Sequence, residues 1–299
     1  MDWKETLQFF SGCMPRQVCR ALMNQEEGSV REIRIRAGGH ASLTTGGGDV
    51  LCQGTISPTQ VTQMAEALCE HALYARAEEQ RQGFVALRGG HRMGLCGRVI
   101  MQGQTVRAVR EISSVCIRIA GQWPGAANAL TPYLLREDGS ARSMLITGMP
   151  GTGKTTLLRD ACRQLSERGR HVCVVDERSE IAAMCGGLPQ LDVGPNTDVL
   201  DGCCKEAGLR WMLRAMSPQV LVTDELGTAL DAQAVMEAAR SGVSVIATLH
   251  GRELEAALSH GALYQLMQNR VFDRYAVLEN GAVGRIAAVY DEQLRLLAG

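Results

Sequence analysis

One eight-residue stretch, Gly148-Met149-Pro150-Gly151-Thr152-Gly153-Lys154-Thr155, constrains this chain more than any other feature. It has the spacing of a glycine, four residues, and then Gly-Lys-Thr. An apolar segment, Met144–Thr147, precedes it, and apolar residues at helical spacing follow it. Glycines in a loop between a strand and a helix let backbone N–H groups curl around phosphate oxygens. The stretch therefore predicts a phosphate-binding loop in a domain that has a parallel sheet.

The residues of this loop have separate predicted roles. The phosphates of a nucleoside triphosphate are expected to contact Gly148, Met149, Pro150, Gly151, Thr152, Gly153, Lys154, Thr155 and Thr156. Lys154 is expected to reach the β- and γ-phosphates, and the Thr155 hydroxyl is expected to ligate Mg²⁺. ATP and Mg²⁺ are thus the predicted ligands. A glycine-rich turn that matches by accident is the alternative, and the flanking strand and helix argue against it.

Three more predicted strands end in polar residues. The strand ends carry Asp176-Glu177, Asp224-Glu225 and Thr248-Leu249-His250. In parallel sheets the carboxyl ends of the strands meet at one edge, where ligands bind. We therefore expect these polar groups to gather around the bound phosphates.

Asp224 follows four apolar residues, which is the pattern of the Walker B aspartate that holds Mg²⁺. Glu225 beside it is the first candidate to orient or deprotonate the attacking water, and Glu177 is the second. Thr248 and His250 are expected to sense the γ-phosphate. Acidic residues also cap elements at strand ends, and a lone histidine is often structural, so the assignment depends on where the strands end.

The first half of the chain predicts a mixed α+β domain. Glu32–Arg36 alternates polar and apolar residues, as in a strand with one buried face. Ser57-Pro58-Thr59-Gln60 is a capping box, and apolar residues at helical spacing continue the predicted helix to Leu73. The predicted organisation is an N-terminal domain over 1–130, a linker over 131–143 and a P-loop ATPase domain over 144–299. The fold class is α/β, with a RecA-like domain in which helices flank a parallel sheet.

A basic segment lies between Arg76 and Arg118, with eight arginines and three acidic residues. Its arginines could line a solvated sheet face, or they could face a nucleotide held by this chain or by a neighbouring subunit. A nucleic-acid backbone ranks third, because Phe84 is the only aromatic residue there and single strands need stacking platforms.

Composition excludes some classes of protein. The net charge of −1 gives no general attraction to nucleic acid or anionic lipid. No apolar run approaches the ~20 residues that span a bilayer. The eleven cysteines include no Cys-x-x-Cys, so no zinc site is predicted. The expected location is the cytoplasm, with any membrane contact made through partners.

Beyond these single motifs, the chain resembles the stage III sporulation AA family of endospore-forming bacteria along nearly its whole length. The resemblance is carried by Glu32-Ile33-Arg34-Ile35-Arg36, Gly89-Gly90-His91-Arg92, the phosphate loop, Asp176-Glu177-Arg178-Ser179-Glu180, Met216-Ser217-Pro218, Thr223-Asp224-Glu225-Leu226-Gly227 and Ala247-Thr248-Leu249-His250. It is similar, more distantly, to the type II and type IV secretion ATPases.

This resemblance implies a cytosolic ATPase that serves the channel between mother cell and forespore. It also implies a homo-oligomeric ring, taken as a hexamer, that works with integral membrane channel proteins. Arginines of the N-terminal domain would then reach the nucleotide of a neighbouring subunit. Two alternatives stay open on the residues alone: a RecA-like ATPase that nucleic acid stimulates, and a nucleotide-gated scaffold with little turnover.

Overall fold

The computed structural model describes residues 3–73, 76–81, 83–251 and 261–299. Its contacts divide the chain into two compact units. The first unit contains the described residues up to Gly121 together with Ala183–Leu191, and the second contains Gln122–Ala182 and the described residues from Asp192 onward. No helix among the described residues is long and apolar enough to cross a membrane.

The first unit is built on a six-stranded antiparallel sheet with the order β3-β2-β1-β6-β5-β4. The strands are β1 (Val30–Arg36), β2 (Ser42–Thr45), β3 (Gly48–Leu51), β4 (Phe84–Ala86), β5 (Arg92–Gln102) and β6 (Thr105–Arg118). The helices are α1 (Trp3–Cys13), α2 (Arg16–Met23), α3 (Pro58–Leu68) and α4 (Ala77–Arg81). This arrangement is the α+β domain that the sequence predicts.

The alternation in β1 explains why this segment is a strand. Ile33 and Ile35 are fully buried in the core of the first unit. Glu32 and Arg34 lie on the opposite face and form an ion pair at 2.8 Å. Successive side chains of a strand point to opposite faces, so the pattern fixes which face is covered. The predicted strand is confirmed.

Helix α3 begins as predicted and ends early. The Ser57 hydroxyl accepts from the Gln60 amide at 3.2 Å, and the Gln60 side chain accepts from the Ser57 amide at 2.9 Å. The predicted extension to Leu73 is wrong, because α3 ends at Leu68 and the backbone turns left-handed at Glu70 and His71. Leu73 is still buried, so its apolar character reflects the core and not the helix.

In sequence, residues Ala183–Leu191 lie between two stretches of the second unit, but they pack in the first unit. The Gln190 Oε1 atom accepts from the Gly89 amide at 2.9 Å. A Cβ atom on Gly90, which has a φ of +80°, would lie 3.0 Å from the Ala183 Cβ atom. The Gly89-Gly90 turn therefore packs against residues Ala183–Leu191, which we call the inserted segment.

The second unit is mixed α/β, with an eight-stranded sheet of order β14-β13-β12-β7-β11-β10-β8-β9. Its strands are β7 (Met144–Gly148), β8 (Val172–Asp176), β9 (Thr197–Asp201), β10 (Val220–Thr223), β11 (Ser244–His250), β12 (Arg274–Leu278), β13 (Ile286–Asp291) and β14 (Leu296–Ala298). Its helices are α5 (Thr131–Leu134), α6 (Lys154–Glu167), α7 (Lys205–Ala215), α8 (Ala229–Arg240) and α9 (Gly261–Gln268). The six strands from β12 to β9 in this order are parallel.

The central strands of this sheet are buried along their length, which explains their continuous apolar sequences. Every residue of β7, β8 and β10 is buried. Strands covered on both faces read as apolar runs and do not alternate. The four predicted strands of this half are therefore confirmed: β10 has the predicted bounds, and the ends of the other three are shifted by at most three residues. Strand β9 is an edge strand of mostly half-exposed residues, so its sequence carries no continuous apolar pattern.

The predicted linker, residues 131–143, lies within the second unit. Leu134 and Ala141 are buried there, and Arg136 pairs with Asp273 at 2.8 Å. The boundary between the units falls instead at Gly121–Gln122. The turn-forming residues of the segment close a tight turn, in which the Asp138 carboxylate accepts from the Ser140 amide. Turns inside a folded unit and flexible linkers use the same residue types, so the sequence pattern does not separate them.

Candidate nucleotide-binding site

The loop Gly148–Lys154 adopts a conformation that only glycine permits at two places. Gly151 and Gly153 have φ values of +78° and +90°. A Cβ atom on Gly153 would lie 2.9 Å from the Gly284 amide nitrogen, and one on Gly148 would lie 2.6 Å from the Thr152 hydroxyl. The Thr152 hydroxyl donates to the Met149 carbonyl at 2.8 Å and closes the loop. The glycines of the motif are therefore required by the close approach of backbone atoms.

Helix α6 begins directly at the end of this loop. Gly153 is its N-cap and provides no side-chain cap for the first turn. The first N–H groups of a helix have no partner within the helix, and the helix dipole places partial positive charge there. Lys154, Thr155 and Thr156 occupy this first turn, with Thr155 and Thr156 half-buried. The loop and the helix N-terminus together suit an anion such as a phosphate.

Lys154 is held over the loop and is only 9% exposed. Its ammonium donates to the carbonyl oxygens of Gly148 at 2.6 Å and Met149 at 3.1 Å. Burial lowers the pKa of Lys154, and the negative charge of Glu225 acts in the opposite direction. Glu225 therefore lies close enough to Lys154 for their charges to interact.

The strand register brings the predicted polar groups to one edge of the sheet. Thr223 is level with Val175 on one side and with Ala247 on the other. Asp224 thus follows β10 between the ends of β8 and β11. On β11, His250 is level with Gly148, the first residue of the phosphate loop. Strand β11 therefore lies beside the strand that leads into the phosphate loop.

The two carboxylates after β10 have different surroundings. Asp224 is 6% exposed, and burial raises its pKa while the nearby ammonium of Lys205 offsets part of that rise. Glu225 is exposed. A buried carboxylate suits a fixed ligand, and an exposed one beside the loop can reach a water molecule.

Lys205, the first residue of α7, lies between two of the predicted acidic residues. Its ammonium is 2.8 Å from the Asp224 Oδ1 atom and also contacts the Glu177 Oε2 atom. The Asp224 Oδ1 atom is buried, and apart from this ammonium it has no donor among the described residues. Burial by itself lowers the pKa of Lys205, but the two carboxylates outweigh it and raise the pKa overall.

Asp176, in the predicted second acidic pair, is fully buried and shapes the loop after β8. Its carboxylate accepts from the amides of Glu180 at 2.7 Å, Ile181 at 3.0 Å and Ala182 at 2.8 Å. The Arg159 guanidinium of α6 donates to the carbonyl oxygens of the same loop, at 2.5 Å to Ile181 and 2.7 Å to Glu180. Glu177 is therefore the member of the pair whose carboxylate lies with Asp224.

The end of β11 carries one buried polar side chain and one exposed side chain. Thr248 is 2% exposed, and its carbonyl oxygen accepts from the Leu226 amide at 2.9 Å. The His250 side chain is exposed. The segment after Asp224-Glu225 is thus tied to β11 by its backbone.

A cavity of about 310 Å³ borders the phosphate loop. It is lined by Met149–Thr152 on one side and by Asn280–Val283, in the turn between β12 and β13, on the other. The turn is attached to the loop because the Gly284 amide donates to the Thr152 carbonyl at 2.8 Å.

Six of the eight arginines of the basic segment fall into two groups. Arg98 pairs with Glu111, Arg118 pairs with Glu32, and Arg92 lies 4.7 Å above the Phe84 ring. Arg88, Arg107 and Arg110 are exposed. In the second unit, Arg210 forms a 2.8 Å ion pair with Glu237, and Arg214 is exposed. Arg210 therefore has an acidic partner within its own chain.

Sequence reasoning did not identify Lys205 or Arg159 as residues of this region. A compositional signal for Lys205 exists, because only Lys4, Lys154 and Lys205 are lysines among 31 basic residues. Two of these three lysines lie at the candidate site. No comparable signal marks Arg159, since one arginine of a helix looks like any other until its contacts are known.

The sequence matches the family described as "Sporulation stage III, protein AA" over residues 3–297. The chain belongs to this family. It is 39% identical over 275 residues to stage III sporulation protein AA of Bacillus subtilis, covering 90% of this chain and 89% of that protein. The family resemblance carried by the sequence motifs is confirmed.

More distant relatives include secretion proteins. The type II secretion system protein E of Klebsiella pneumoniae is 33% identical over 135 residues, which are 44% of this chain and 26% of that protein. The ATPase DotB of Yersinia pseudotuberculosis has a similar structure, with a TM-score of 0.58 at 16% identity, covering 88% of this chain and 76% of that one. The predicted fold class is confirmed by this shared fold.

Proposed function

We propose that this protein is a Mg²⁺-dependent ATP hydrolase whose second unit binds and cleaves ATP. The observation that carries the proposal is the position of Lys154 and the phosphate loop at the same sheet edge as Asp224 and Glu225. Nucleotide hydrolysis at a phosphate loop needs these parts: an anion cradle, a carboxylate for the metal and a group that positions water. The family membership and the secretion-protein relatives support the same conclusion.

The residues present fit both ligands. The loop is a cradle in which a Cβ atom at Gly148 or Gly153 would clash. Asp224 Oδ1 is buried and faces the Lys205 ammonium at 2.8 Å, an ion pair that a metal-bound water could replace. Asp224 and the Thr155 hydroxyl would hold Mg²⁺, which when bound would polarise the γ-phosphoryl group as a Lewis acid.

The chain's own residues would divide the remaining work. The loop amides and Lys154 would bind the phosphate oxygens and hold them in place. Glu225 would orient the attacking water and take its proton, since it is exposed and follows β10 at the sheet edge that also carries the phosphate loop. Thr248 and His250 would respond to the γ-phosphate from the neighbouring strand. Glu177 is less suited as the base because the Lys205 ammonium neutralises it.

We also propose that the protein acts as a ring oligomer, taken as a hexamer, that energises assembly or transport in a sporulation channel. Its location would be cytoplasmic, and it would meet the membrane through integral membrane channel proteins. The relationship to stage III sporulation protein AA and to secretion proteins supports this role.

The first test is steady-state ATP hydrolysis by the purified protein with Mg²⁺, using Lys154→Ala as the blank. Glu225→Gln should lower turnover by about 100-fold or more while nucleotide binding is kept, because the base is lost and the phosphate cradle is intact. Glu177→Gln is the matched control and should lower turnover by less than about tenfold. The reverse order of the two variants would move the base to Glu177.

The same assay separates the competing functions. Turnover that is low alone and rises steeply with single-stranded DNA would indicate an ATPase that nucleic acid stimulates. Binding of ATP without turnover in the wild type would indicate a nucleotide-gated scaffold. We expect turnover that does not respond to DNA.

A further inference from the structure

The position of Lys205 is unfavourable for its own helix. It is the first residue of α7, where the helix dipole places partial positive charge that repels a cation. The Cys204 N-cap makes no side-chain hydrogen bond that would offset this repulsion. Lys205 is also 7% exposed, so its charge is largely removed from water. Helix stability therefore does not explain a lysine at this position.

The neighbouring carboxylates do explain it. Asp224 and Glu177 lie together at the sheet edge, and Asp224 is buried. Placing two carboxylates close together costs far less free energy when they share a cation than when they do not. The Lys205 ammonium contacts one oxygen of each and balances part of their charge.

We propose that Lys205 is a built-in counter-ion that competes with the divalent cation for Asp224. This inference rests on the proposed function, in which Asp224 serves the metal. The carboxylate oxygen that the ammonium contacts has no other donor among the described residues, so both cations would use the same group. The nucleotide-free protein would then bind a free divalent cation poorly, and the metal would enter together with the nucleotide phosphates.

A second consequence concerns the two candidate bases. When the metal–nucleotide complex takes Asp224, the Lys205 ammonium keeps its contact with Glu177. The Glu177 carboxylate is thus held in an ion pair, whereas the Glu225 carboxylate is exposed. Lys205 therefore acts as a positioning residue that directs the role of the base to Glu225.

The test measures Mn²⁺ binding to the full, nucleotide-free chain, with electron paramagnetic resonance as the method of detection. We expect Lys205→Gln to bind Mn²⁺ at least tenfold more tightly than the wild type, because the competing charge is gone. Lys205→Arg keeps the charge and should behave as the wild type does. Lys4→Gln removes an exposed lysine of α1, outside the candidate site, and should change the affinity by less than threefold. Equal affinity in Lys205→Gln and the wild type would overturn the proposal.

Thermal unfolding without nucleotide gives a second readout. Mg²⁺ should raise the Tm of Lys205→Gln by several degrees, because it replaces the missing counter-ion, and should leave the wild type unchanged. If Lys205→Gln does not fold, the wild type alone decides, since tight Mn²⁺ binding without nucleotide would contradict the competition.

Binding of a fluorescent ATP analogue to the wild type with Mg²⁺ separates the two proposals. Absence of binding would refute the proposed function. Binding together with an unchanged Mn²⁺ affinity in Lys205→Gln would refute only the role of Lys205.

Discussion

At the scale of single residues, His91 shows how burial decides a protonation state. The ring is 2% exposed and lies 5.1 Å from the Phe10 ring, measured between centroids. Its Nδ1 atom accepts from the Ala120 amide at 3.0 Å, so the neutral ring is the form that fits. Burial lowers the pKa of His91 to about 4.

This pKa predicts that the protein loses stability as the medium becomes acidic. Unfolded His91 takes a proton below about pH 6.5, and the folded ring does so only near pH 4, so stability is fully present above pH 6.5 and declines towards pH 4. The loss amounts to about 3 kcal/mol over this range. His91→Asn keeps an acceptor near the Nδ1 position and should flatten the decline. The free energy of unfolding, measured with urea between pH 4 and 7, reports this decline. An equal dependence on pH in the wild type and in His91→Asn would contradict the lowered pKa of His91.

At the scale of elements, the loop after β8 connects the candidate site to the inserted segment. Asp176 ends the strand and binds the backbone of residues 180–182, and Ala183 begins the inserted segment. Arg159, from the helix that follows the phosphate loop, holds the same backbone from its carbonyl side. Ser179 and Ala183 have left-handed backbone angles, φ +53° and +51°, which the fixed loop imposes.

Asp176→Asn should weaken this loop more than the fold as a whole. The amide NH₂ group would face backbone N–H donors, so at least one buried amide would lose its acceptor, at a cost of about 3 kcal/mol. Hydrogen exchange should show lost protection at the amides of Glu180, Ile181 and Ala182. Asp138→Asn, at an exposed turn, is the control and should leave the exchange of these three amides unchanged. Unchanged exchange at these amides would show that the carboxylate is not needed.

At the scale of the whole molecule, the exposed arginines are candidates for contact with a second copy of the chain. Arg88, Arg107 and Arg110 of the first unit are exposed, whereas Arg98 and Arg118 already pair with acidic residues. A ring in which one subunit supplies an arginine to the nucleotide of the next needs exposed arginines such as Arg88, Arg107 and Arg110. Arginines supplied in this way stabilise the charge of the transition state.

If the ring forms, turnover per protomer should rise with protein concentration. The triple variant Arg88→Ala, Arg107→Ala, Arg110→Ala should lose about 100-fold in turnover, because the arginine from the neighbour is lost. Mixing it with Lys154→Ala should restore part of the rate, since each variant supplies what the other lacks. Light scattering across the same concentrations follows assembly. A rate that is independent of concentration and is not restored in the mixture would refute catalysis across subunits.

The sequence by itself determined the local elements whose pattern is strong. The phosphate loop, the buried strand that precedes it and the capped start of α3 were all predictable, because each depends on residues close together in the chain. The acidic residues at strand ends were placed correctly because parallel strands must end at one edge. Membership in the family also followed from motifs alone.

Tertiary structure decided what depends on contacts distant in sequence. Glycine, proline and serine around 131–143 and 184–196 have the same local preferences in a linker, a turn or an inserted segment, so only packing shows which unit holds them. The pairing of Lys205 with Asp224 joins α7 to the end of β10. A buried charge is recognised by its partner, and the partner is fixed only when the chain has folded.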